Sequence, residues 1–133
     1  MARPRTDLPD LSGAEWAVMK VIWDDGPMAM GDLYARLPDH HGWAYSTVKT
    51  LLRRLMAKGW LDARRVGNSF LYRSAVTRER AVRRAVRDFS SRVLDGLMTP
   101  FVAYYVEERD LTPEELSKLE NIIRQQRAKE GTR

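Results

Sequence analysis

Side chains that can bind a polyanion are concentrated in one short stretch of the chain, with no acidic side chain among them. They are Ser46, Thr47, Lys49, Thr50, Arg53 and Arg54. Lysine and arginine pair with phosphate oxygens, and hydroxyl groups bond phosphates or the edges of bases. This combination of residue types predicts contact with a nucleic acid.

An apolar repeat in the same stretch predicts the element that carries these side chains. Val48, Leu51, Leu52, Leu55 and Met56 follow the i, i+3, i+4, i+7 spacing of one helix face. We predict a helix from about Ala44 to Lys58, ended by Gly59. A helix that buries one face and presents a basic one is typical of DNA-reading proteins.

The sequence predicts neither an enzyme nor a metal protein. Asp39, His40 and Ser46 lie close together in the chain, but no acid, base and nucleophile have the spacing of a catalytic site. His40 and His41 are adjacent in a loop that supplies no third ligand, and the chain has no cysteine. We therefore expect no metal and no cofactor.

The positive charge of the chain is concentrated around the predicted helix. The formal net charge is +5, but residues 43–80 carry +7, whereas residues 1–42 carry −3 and residues 81–133 carry +1. A basic surface exposed to solvent would also account for a high pI. The local concentration favours a nucleic acid as the partner.

A flexible arm and two helices are predicted before the basic helix. The arm covers residues 1–10. Ser12 and Glu15 have the spacing of a capping box, which starts a helix that ends near Gly26-Pro27. A second helix is predicted over Gly31 to Leu37.

A β-hairpin is predicted after the basic helix. Two β-prone runs, 60–66 and 70–74, flank Gly67-Asn68-Ser69, where glycine and asparagine tolerate a positive φ. Three helices followed by a basic hairpin make a winged helix-turn-helix domain, which we place over residues 11–76. The phosphate contacts expected on the hairpin are Arg64, Arg65 and Asn68.

Residues 77–133 are predicted to form a helical dimerisation domain. A helix from residue 77 to about 98 is expected to stop at Thr99-Pro100, before a short aromatic-rich helix over 101–106 and a last helix from Thr112-Pro113. Folding back on the winged helix or pairing with a second chain would bury their apolar side chains, and two-fold DNA readers favour pairing. The predicted interface residues are Phe89, Val93, Leu97, Phe101, Tyr105, Leu116, Leu119, Ile122 and Ile123.

The predicted fold class is mainly α with a small β-hairpin. No apolar run approaches the ~18–20 residues of a membrane span, and the N-terminal residues lack the hydrophobic stretch of a secretory signal. Together with the absence of cysteine, these features predict a cytoplasmic protein.

The sequence closely resembles the penicillinase-repressor family of bacterial transcription factors, the BlaI/MecI group, over roughly Leu11 to Ile123. The specific motifs are LSGAEWAVMKVIW from Leu11, YSTVKTLLRRL from Tyr45 and KGWL from Lys58. A looser C-terminal match rests on YVEERDL from Tyr105 and on the helix that follows it. Together these motifs are more specific than a generic helix-turn-helix match.

The resemblance implies a homodimeric repressor that binds palindromic operators of β-lactamase or related resistance genes. It also implies a membrane sensor protease as a partner, which cleaves the dimerisation domain and relieves repression. The family's scissile Asn-Phe pair aligns with Tyr104-Tyr105, so this chain differs at the residue before the bond. A related branch senses copper through cysteine pairs, which this chain lacks.

Two other functions are compatible with these residues. The winged helix could be a protein-interaction module whose basic face meets an acidic partner. The chain could also be a ligand-gated regulator that holds a small molecule near Trp60, Phe89 and Tyr104.

Overall fold

The computed structural model of the chain describes residues 8–37 and 42–131, which form six helices and a three-stranded sheet. In chain order the elements are α1 (Gly13–Asp25), β1 (Met28–Ala29), α2 (Met30–Arg36), α3 (Tyr45–Lys58), β2 (Leu61–Val66), β3 (Ser69–Ser74), α4 (Arg78–Arg92), α5 (Met98–Glu108) and α6 (Pro113–Gly131). The predicted fold class is confirmed. The short β1 extends the predicted hairpin to three strands.

The chain forms two compact units, and the division between them falls within α4. The first unit ends at Val86 and the second begins at Arg87. The sequence predicts a domain boundary at residues 76–77, ahead of α4. The division of labour between a DNA-binding domain and a dimerisation domain stays a prediction.

The core of the first unit lies between the apolar faces of its helices and the sheet. Trp23 packs against this core, and its indole Nε1 donates hydrogen bonds to Ser74 Oγ and to the Val76 carbonyl oxygen, both at 2.9 Å. Each large apolar side chain buried here contributes roughly 1.5–3 kcal/mol. The buried apolar residues are Leu8, Val18, Met19, Ile22, Met28, Leu33, Leu37, Val48, Leu51, Leu52, Leu55, Trp60, Leu61, Val76 and Ala81.

The sheet is antiparallel, in the order β1-β3-β2. Val66 pairs with Ser69, so Gly67 and Asn68 form a two-residue turn at its tip. Gly67 has a φ of 62°, whereas Asn68 does not have a positive φ. A positive φ at the first turn residue alone is the pattern of a type II′ turn. We call β2, β3 and this turn the wing.

Residues 8–10 pack on the first unit, so the predicted flexible arm does not extend to them. Leu8 is buried in the core, and the carbonyl oxygen of Pro9 accepts a hydrogen bond from Trp60 Nε1 at 2.8 Å. These contacts offset the entropy lost when the segment is ordered. The rest of the predicted arm, residues 1–7, lies outside the described residues.

The prediction that α4 continues to about residue 98 is wrong. α4 ends at Arg92, and the chain turns through Asp95 (φ 51°) and Gly96 (φ 79°), two residue types that tolerate the left-handed conformation. Pro100 does not break a helix either. It lies in the first turn of α5, where its missing N–H would have no helical partner in any case.

The second unit leaves much apolar surface uncovered. Neither α5 nor α6 contains a buried residue. Phe101 meets the rings of Phe89 and Tyr105, with centroids 5.6 and 6.2 Å away. An open groove of about 340 Å³ is lined by Phe101, Val102, Tyr105, Val106, Leu111, Glu115, Lys118 and Leu119. Among the described helices, none combines the length and the hydrophobicity that a membrane span requires.

Candidate nucleic-acid interface

α3 buries one face in the core and exposes the opposite one. Val48, Leu51, Leu52 and Leu55 are buried. Met56 does not join them, contrary to the sequence prediction, and remains 40% exposed. At 100° per residue it lies about 90° from the centre of the buried face, too far round the helix to reach the core.

The predicted contact residues of α3 spread across its exposed side. Ser46, Thr47, Lys49, Arg53 and Arg54 are all exposed. Helical geometry places Ser46 and Arg53 opposite the buried face, with Lys49 on one flank and Thr47 and Arg54 on the other. The helix therefore presents polar or basic groups over a wide arc.

Thr50 is less available than predicted. Its side chain is half-buried, and its hydroxyl donates a hydrogen bond to the carbonyl oxygen of Ser46 at 3.1 Å. The proton of this hydroxyl is therefore used within the helix, while the oxygen keeps its capacity to accept. Thr50 can receive a hydrogen bond from a base amino group but is not free to donate one.

α3 begins without a cap from its own side chains. The residue at the cap is Ala44, which offers no side-chain oxygen, and the first turn contains no acidic residue. The backbone N–H groups of a first helical turn have no helical partner and carry a partial positive charge. An anion such as phosphate is the natural partner for this end of α3.

Two tyrosines that the sequence analysis did not assign to the site fix the start of α3. The Tyr34 hydroxyl donates a hydrogen bond to the Trp43 carbonyl oxygen at 3.1 Å, and its ring meets Tyr45 edge to face at 5.2 Å. Tyr45 is the first residue of α3 and is 47% exposed. An aromatic residue directly before Ser46-Thr47, off the apolar repeat, was the signal in the sequence.

A buried carboxylate holds the last turn of α3. Glu15 Oε1 accepts hydrogen bonds from Lys58 Nζ at 2.6 Å and from the Ser12 backbone N–H at 2.8 Å. Burial raises the pKa of Glu15, but the bonds from Lys58 and Ser12 outweigh burial and hold this pKa below its ordinary value. Lys58 also donates to the Asp10 carbonyl oxygen, so its charge is used inside the protein.

Gly59 ends α3 in the left-handed conformation, with a φ of 89°. Its N–H donates to the Met56 carbonyl oxygen at 3.1 Å, and the Trp60 N–H donates to that of Leu55 at 2.9 Å. This is the hydrogen-bond pattern of a Schellman motif. It turns the chain from α3 directly into β2.

The wing carries positive charge on both of its faces. Arg64 pairs with Leu71 and Arg65 with Phe70, so the two arginines point to opposite sides of the sheet. Both are exposed, as is Asn68 at the turn. Arg65 Nε also donates to the Gly67 carbonyl oxygen at 3.2 Å, which holds this side chain beside the tip.

Arg73 adds a cation that the predicted set omits. It is exposed and lies opposite Asp62 in the strand register, on the same face of the wing as Arg64. The alternation of strand residues was the signal that could have separated these faces from the sequence.

The aligned cleavage position lies inside a helix. The bond between Tyr104 and Tyr105 is within α5, and both side chains are exposed. The Arg109 guanidinium lies over the Tyr105 ring, 5.7 Å from its centroid. A protease cleaves a helical segment only after the helix opens locally. The two side chains are therefore exposed to solvent, while the helix protects the peptide bond between them from cleavage.

The predicted dimerisation residues are left largely uncovered in the single chain. Phe101 is half-buried, and the other eight are exposed: Phe89, Val93, Leu97, Tyr105, Leu116, Leu119, Ile122 and Ile123. They belong to α4, the turn after it, α5 and α6. Their role in an interface stays a prediction.

The structure bears on the ligand alternative through one of its three residues. Trp60, named for a ligand site, is buried in the core of the first unit. The adjacent His40 and His41 lie outside the described residues, as does Asp39. Within residues 8–37 and 42–131 no group of three or more histidine, cysteine or acidic residues is placed to hold a metal ion.

Comparisons with known proteins agree with this geometry. The family model of the penicillinase repressors matches residues 11–125. The methicillin resistance regulatory protein MecI of Staphylococcus aureus (strain N315) is 29% identical over 114 residues, which cover 86% of this chain and 93% of that protein. The penicillinase repressor of Bacillus licheniformis is 28% identical over 116 residues, covering 87% of this chain and 91% of the other.

A solved structure matches more than half of the chain. It is that of Bacillus licheniformis BlaI in its monomeric form in complex with the blaP half-operator, with 31% identity and a TM-score of 0.50, covering 56% of this chain and 90% of that one. The matching family model spans nearly the whole chain. The chain therefore belongs to the penicillinase repressor family, whose members are DNA-binding transcriptional repressors and not enzymes.

Proposed function

We propose that this repressor acts in the cytoplasm as a homodimer on a palindromic operator. Each subunit places α3 in the major groove of one half-site and the wing against flanking phosphates. The observation that carries the proposal is the exposed face of α3, which is polar, free of acidic residues and uncapped at its N-terminal end. A polyanion can bind a surface with all three of these properties.

The arrangement of side chains on α3 suggests a role for each. Arg53 lies opposite the buried face, where it can reach a base edge, and a bidentate contact with guanine is worth about 1–3 kcal/mol of discrimination. A helix in the major groove has a phosphate backbone on each side. Lys49 and Arg54 lie on opposite flanks of α3 and are suited to these two backbones, while Ser46 and Thr47 lie at the phosphate-binding N-terminal end.

The uncovered apolar surface of the second unit supports a second copy of the chain as the dimer partner. Each large aliphatic side chain that becomes buried contributes roughly 1.5–3 kcal/mol. A two-fold dimer matches a palindromic operator, with one subunit on each half-site. The structure of monomeric BlaI with a half-operator corresponds to one subunit of such a dimer on one half-site.

We further propose that the regulated genes confer β-lactam resistance, as the names of the relatives indicate for those proteins. Loss of the second unit would relieve repression, because linkage makes the second half-site contact effectively intramolecular. Cleavage by a membrane sensor protease near Tyr104-Tyr105 is one route to that loss. Because the bond lies inside α5, this route requires the helix to unwind locally.

Mobility-shift titrations of the full chain with a palindromic promoter fragment test the proposed DNA contacts. Six to ten phosphate contacts in a dimer predict that affinity falls by roughly 10³–10⁵ between about 50 and 200 mM salt. The double variant Lys49→Ala with Arg53→Ala is expected to lose the specific complex, because it removes one flank contact and the groove contact. Both side chains are exposed, so the fold should be retained.

Arg83→Ala with Arg87→Ala is the matched control, because it removes the same charge from exposed positions of α4. This control should keep operator affinity within a few fold of the unaltered chain. Salt-insensitive binding, or equal losses in the two double variants, would contradict DNA reading by α3. A salt-dependent complex with an acidic protein and none with DNA would favour the protein-interaction module.

A further inference from the structure

Arg84, on the first half of α4, is held on two sides by the winged helix. Its guanidinium lies over the Trp60 ring, 5.9 Å from the centroid, and its Nη2 donates to Asp10 Oδ1 at 3.1 Å. Only 23% of the Arg84 side chain is exposed, although it belongs to a strongly basic helix surface. Trp60 is itself fixed by the bond from Nε1 to the Pro9 carbonyl oxygen.

Arg78, at the start of α4, repeats this arrangement on another part of the winged helix. Its guanidinium lies over the Trp23 ring at 5.7 Å and forms an ion pair with the Asp24 carboxylate. The same nitrogen lies 3.3 Å from the carbonyl oxygen of Lys20, in the second half of α1. The first half of α4 is thus attached to the first unit at two points, each made of a guanidinium, an indole and a carboxylate.

Asp10 connects α4 to the recognition helix α3. Its carboxylate bonds Arg84, while its backbone carbonyl oxygen accepts from Lys58 Nζ in the last turn of α3. Lys58 is held in turn by the buried carboxylate of Glu15. A continuous series of polar contacts therefore joins the end of α3 to the middle of α4 within the first unit.

We propose that Asp10 and Arg84 are positioning residues that fix the direction of α4 relative to α3 and so set the half-site spacing that the dimer accepts. α4 is the element through which the chain passes from the first unit to the second, since the division falls at Val86–Arg87. Its direction at the first unit therefore bears on where each recognition helix lies when two chains are joined. This inference rests on the homodimer of the proposed function.

The chemistry of the contact suits orientation better than stability. A partly exposed ion pair contributes little to the folding free energy. A planar guanidinium that lies over an indole and bonds a carboxylate can however adopt few orientations. Removal of the pair should therefore leave the first unit folded and loosen the direction of α4.

Half-site and full-site binding of the full-length chain separate orientation from stability. Kd is measured for one half-site, for the palindrome with its natural spacing, and for palindromes with one base pair added or removed. Arg84→Gln should bind the half-site within about twofold of the unaltered chain and the natural palindrome about tenfold more weakly, because the intramolecular advantage of the second contact falls. Its preference for the natural spacing should shrink towards none.

Two further variants keep the test independent of any single substitution. Asp10→Asn should reproduce the Arg84→Gln effects, and the double variant should add little, since residues of one contact are non-additive. Arg83→Gln is the matched control, because Arg83 is the neighbouring arginine of α4 and pairs only at the surface, with Glu79. It should leave both affinities and the spacing preference unchanged.

Equal losses on the half-site and on the palindrome would overturn the inference, because they would assign Arg84 a merely structural role. An unchanged spacing preference in both Arg84→Gln and Asp10→Asn would overturn it as well. Failure of the proposed function is a different result. In that case the unaltered chain would itself bind the palindrome no more tightly than the half-site.

Discussion

Glu15 is a single carboxylate that serves two helices. It closes the capping box of α1 with Ser12 and holds Lys58 in the last turn of α3. Its charge is almost completely removed from water, so it needs a matched counter-charge. Oε2 has no hydrogen-bond partner among the described residues, which leaves Oε1 to accept both bonds.

Glu15→Gln is therefore expected to destabilise the fold by about 1–3 kcal/mol at neutral pH, because Lys58 loses its counter-charge. The lowered pKa means that the folded chain binds the Glu15 proton less tightly than the unfolded chain. The stabilisation is thus present above the unfolded pKa of about 4.3 and is lost as pH falls through the folded value. Urea unfolding of both chains at neutral pH and at about pH 3 measures this, and the difference should shrink in acid.

Glu79→Gln is the control for the Glu15 experiment. Glu79 is an exposed carboxylate of α4 whose partner, Arg83, is also exposed, so its loss should change stability by less than about 1 kcal/mol. Equal losses of unfolding free energy in the two variants would contradict the stabilising role of the buried pair between Glu15 and Lys58. The same conclusion would follow from a Glu15 effect that did not vary with pH.

The exposed side of α3 could be read from the sequence except at Met56 and Thr50, because a helix with four strong apolar positions has only one orientation on a core. The partners of individual side chains could not. The hydrogen bond that occupies the Thr50 hydroxyl depends on local geometry. The bond between Lys58 and Glu15 joins residues that are distant in the chain, so no local pattern predicts it.

Among the elements, the junction between α3 and β2 depends on one glycine. Gly59 is in the left-handed conformation, and a Cβ added to it would lie 3.0 Å from Leu8 Cδ2. Both the backbone and the packed N-terminal segment therefore oppose a side chain at this position. The direction in which α3 meets the wing is tied to the same residue.

Gly59→Ala should destabilise the fold by about 1–2 kcal/mol, since an alanine pays for the left-handed conformation and displaces Leu8. Gly31→Ala is the matched control. Gly31 lies in α2 with open space around its Cα, so alanine there should stabilise by about 0.5–1 kcal/mol. Thermal or urea unfolding measures the change in unfolding free energy of each variant. Changes of the same sign in the two variants would contradict this account of Gly59.

Elements whose ends are marked by capping or turn residues could be predicted from the sequence, and elements without such residues could not. The capping box of α1, the glycine after α3 and the wing turn are all local sequence features. The end of α4 was misplaced because the apolar spacing continues through Val93 and Leu97, which lie beyond the helix. The spacing of apolar residues does not distinguish a helix from a turn whose apolar residues continue the same spacing.

For the whole molecule, the proposed dimer makes tight operator binding depend on the second unit. A chain that ends before Phe101 should retain a folded winged helix, because the core of the first unit is complete without α5 and α6. It should bind a single half-site within a few fold and lose about 10² or more in affinity for the palindrome. Mobility-shift titrations on both fragments measure this.

Ile122→Asp with Ile123→Asp in the full-length chain should reproduce that loss without shortening the protein. Both side chains are more than half exposed in the single chain, so two charges there should disturb association and not folding. Full palindrome affinity in the truncated chain would contradict the dimer. So would unaltered affinity in the charged variant.

The change of pattern after the wing predicts a second domain from residue 77, and that domain assignment stays a prediction. The division between the compact units falls at residues 86 and 87, in the middle of a regular helix. A boundary inside a helix has no proline, glycine or polar run to mark it. It is defined by long-range packing alone, which a single sequence does not display.

The placement of the tryptophans has an optical consequence. All four, at positions 16, 23, 43 and 60, lie in the first unit, whereas the second unit has only phenylalanine and tyrosine as aromatic residues. Light at the long-wavelength end of the aromatic absorption band is absorbed by tryptophan and not by tyrosine. Such light therefore excites the first unit alone. Trp43 directly precedes the capping residue of α3 and is bonded through its carbonyl oxygen to Tyr34. The combined emission of the four tryptophans, Trp43 included, therefore reports on the first unit without a contribution from the second.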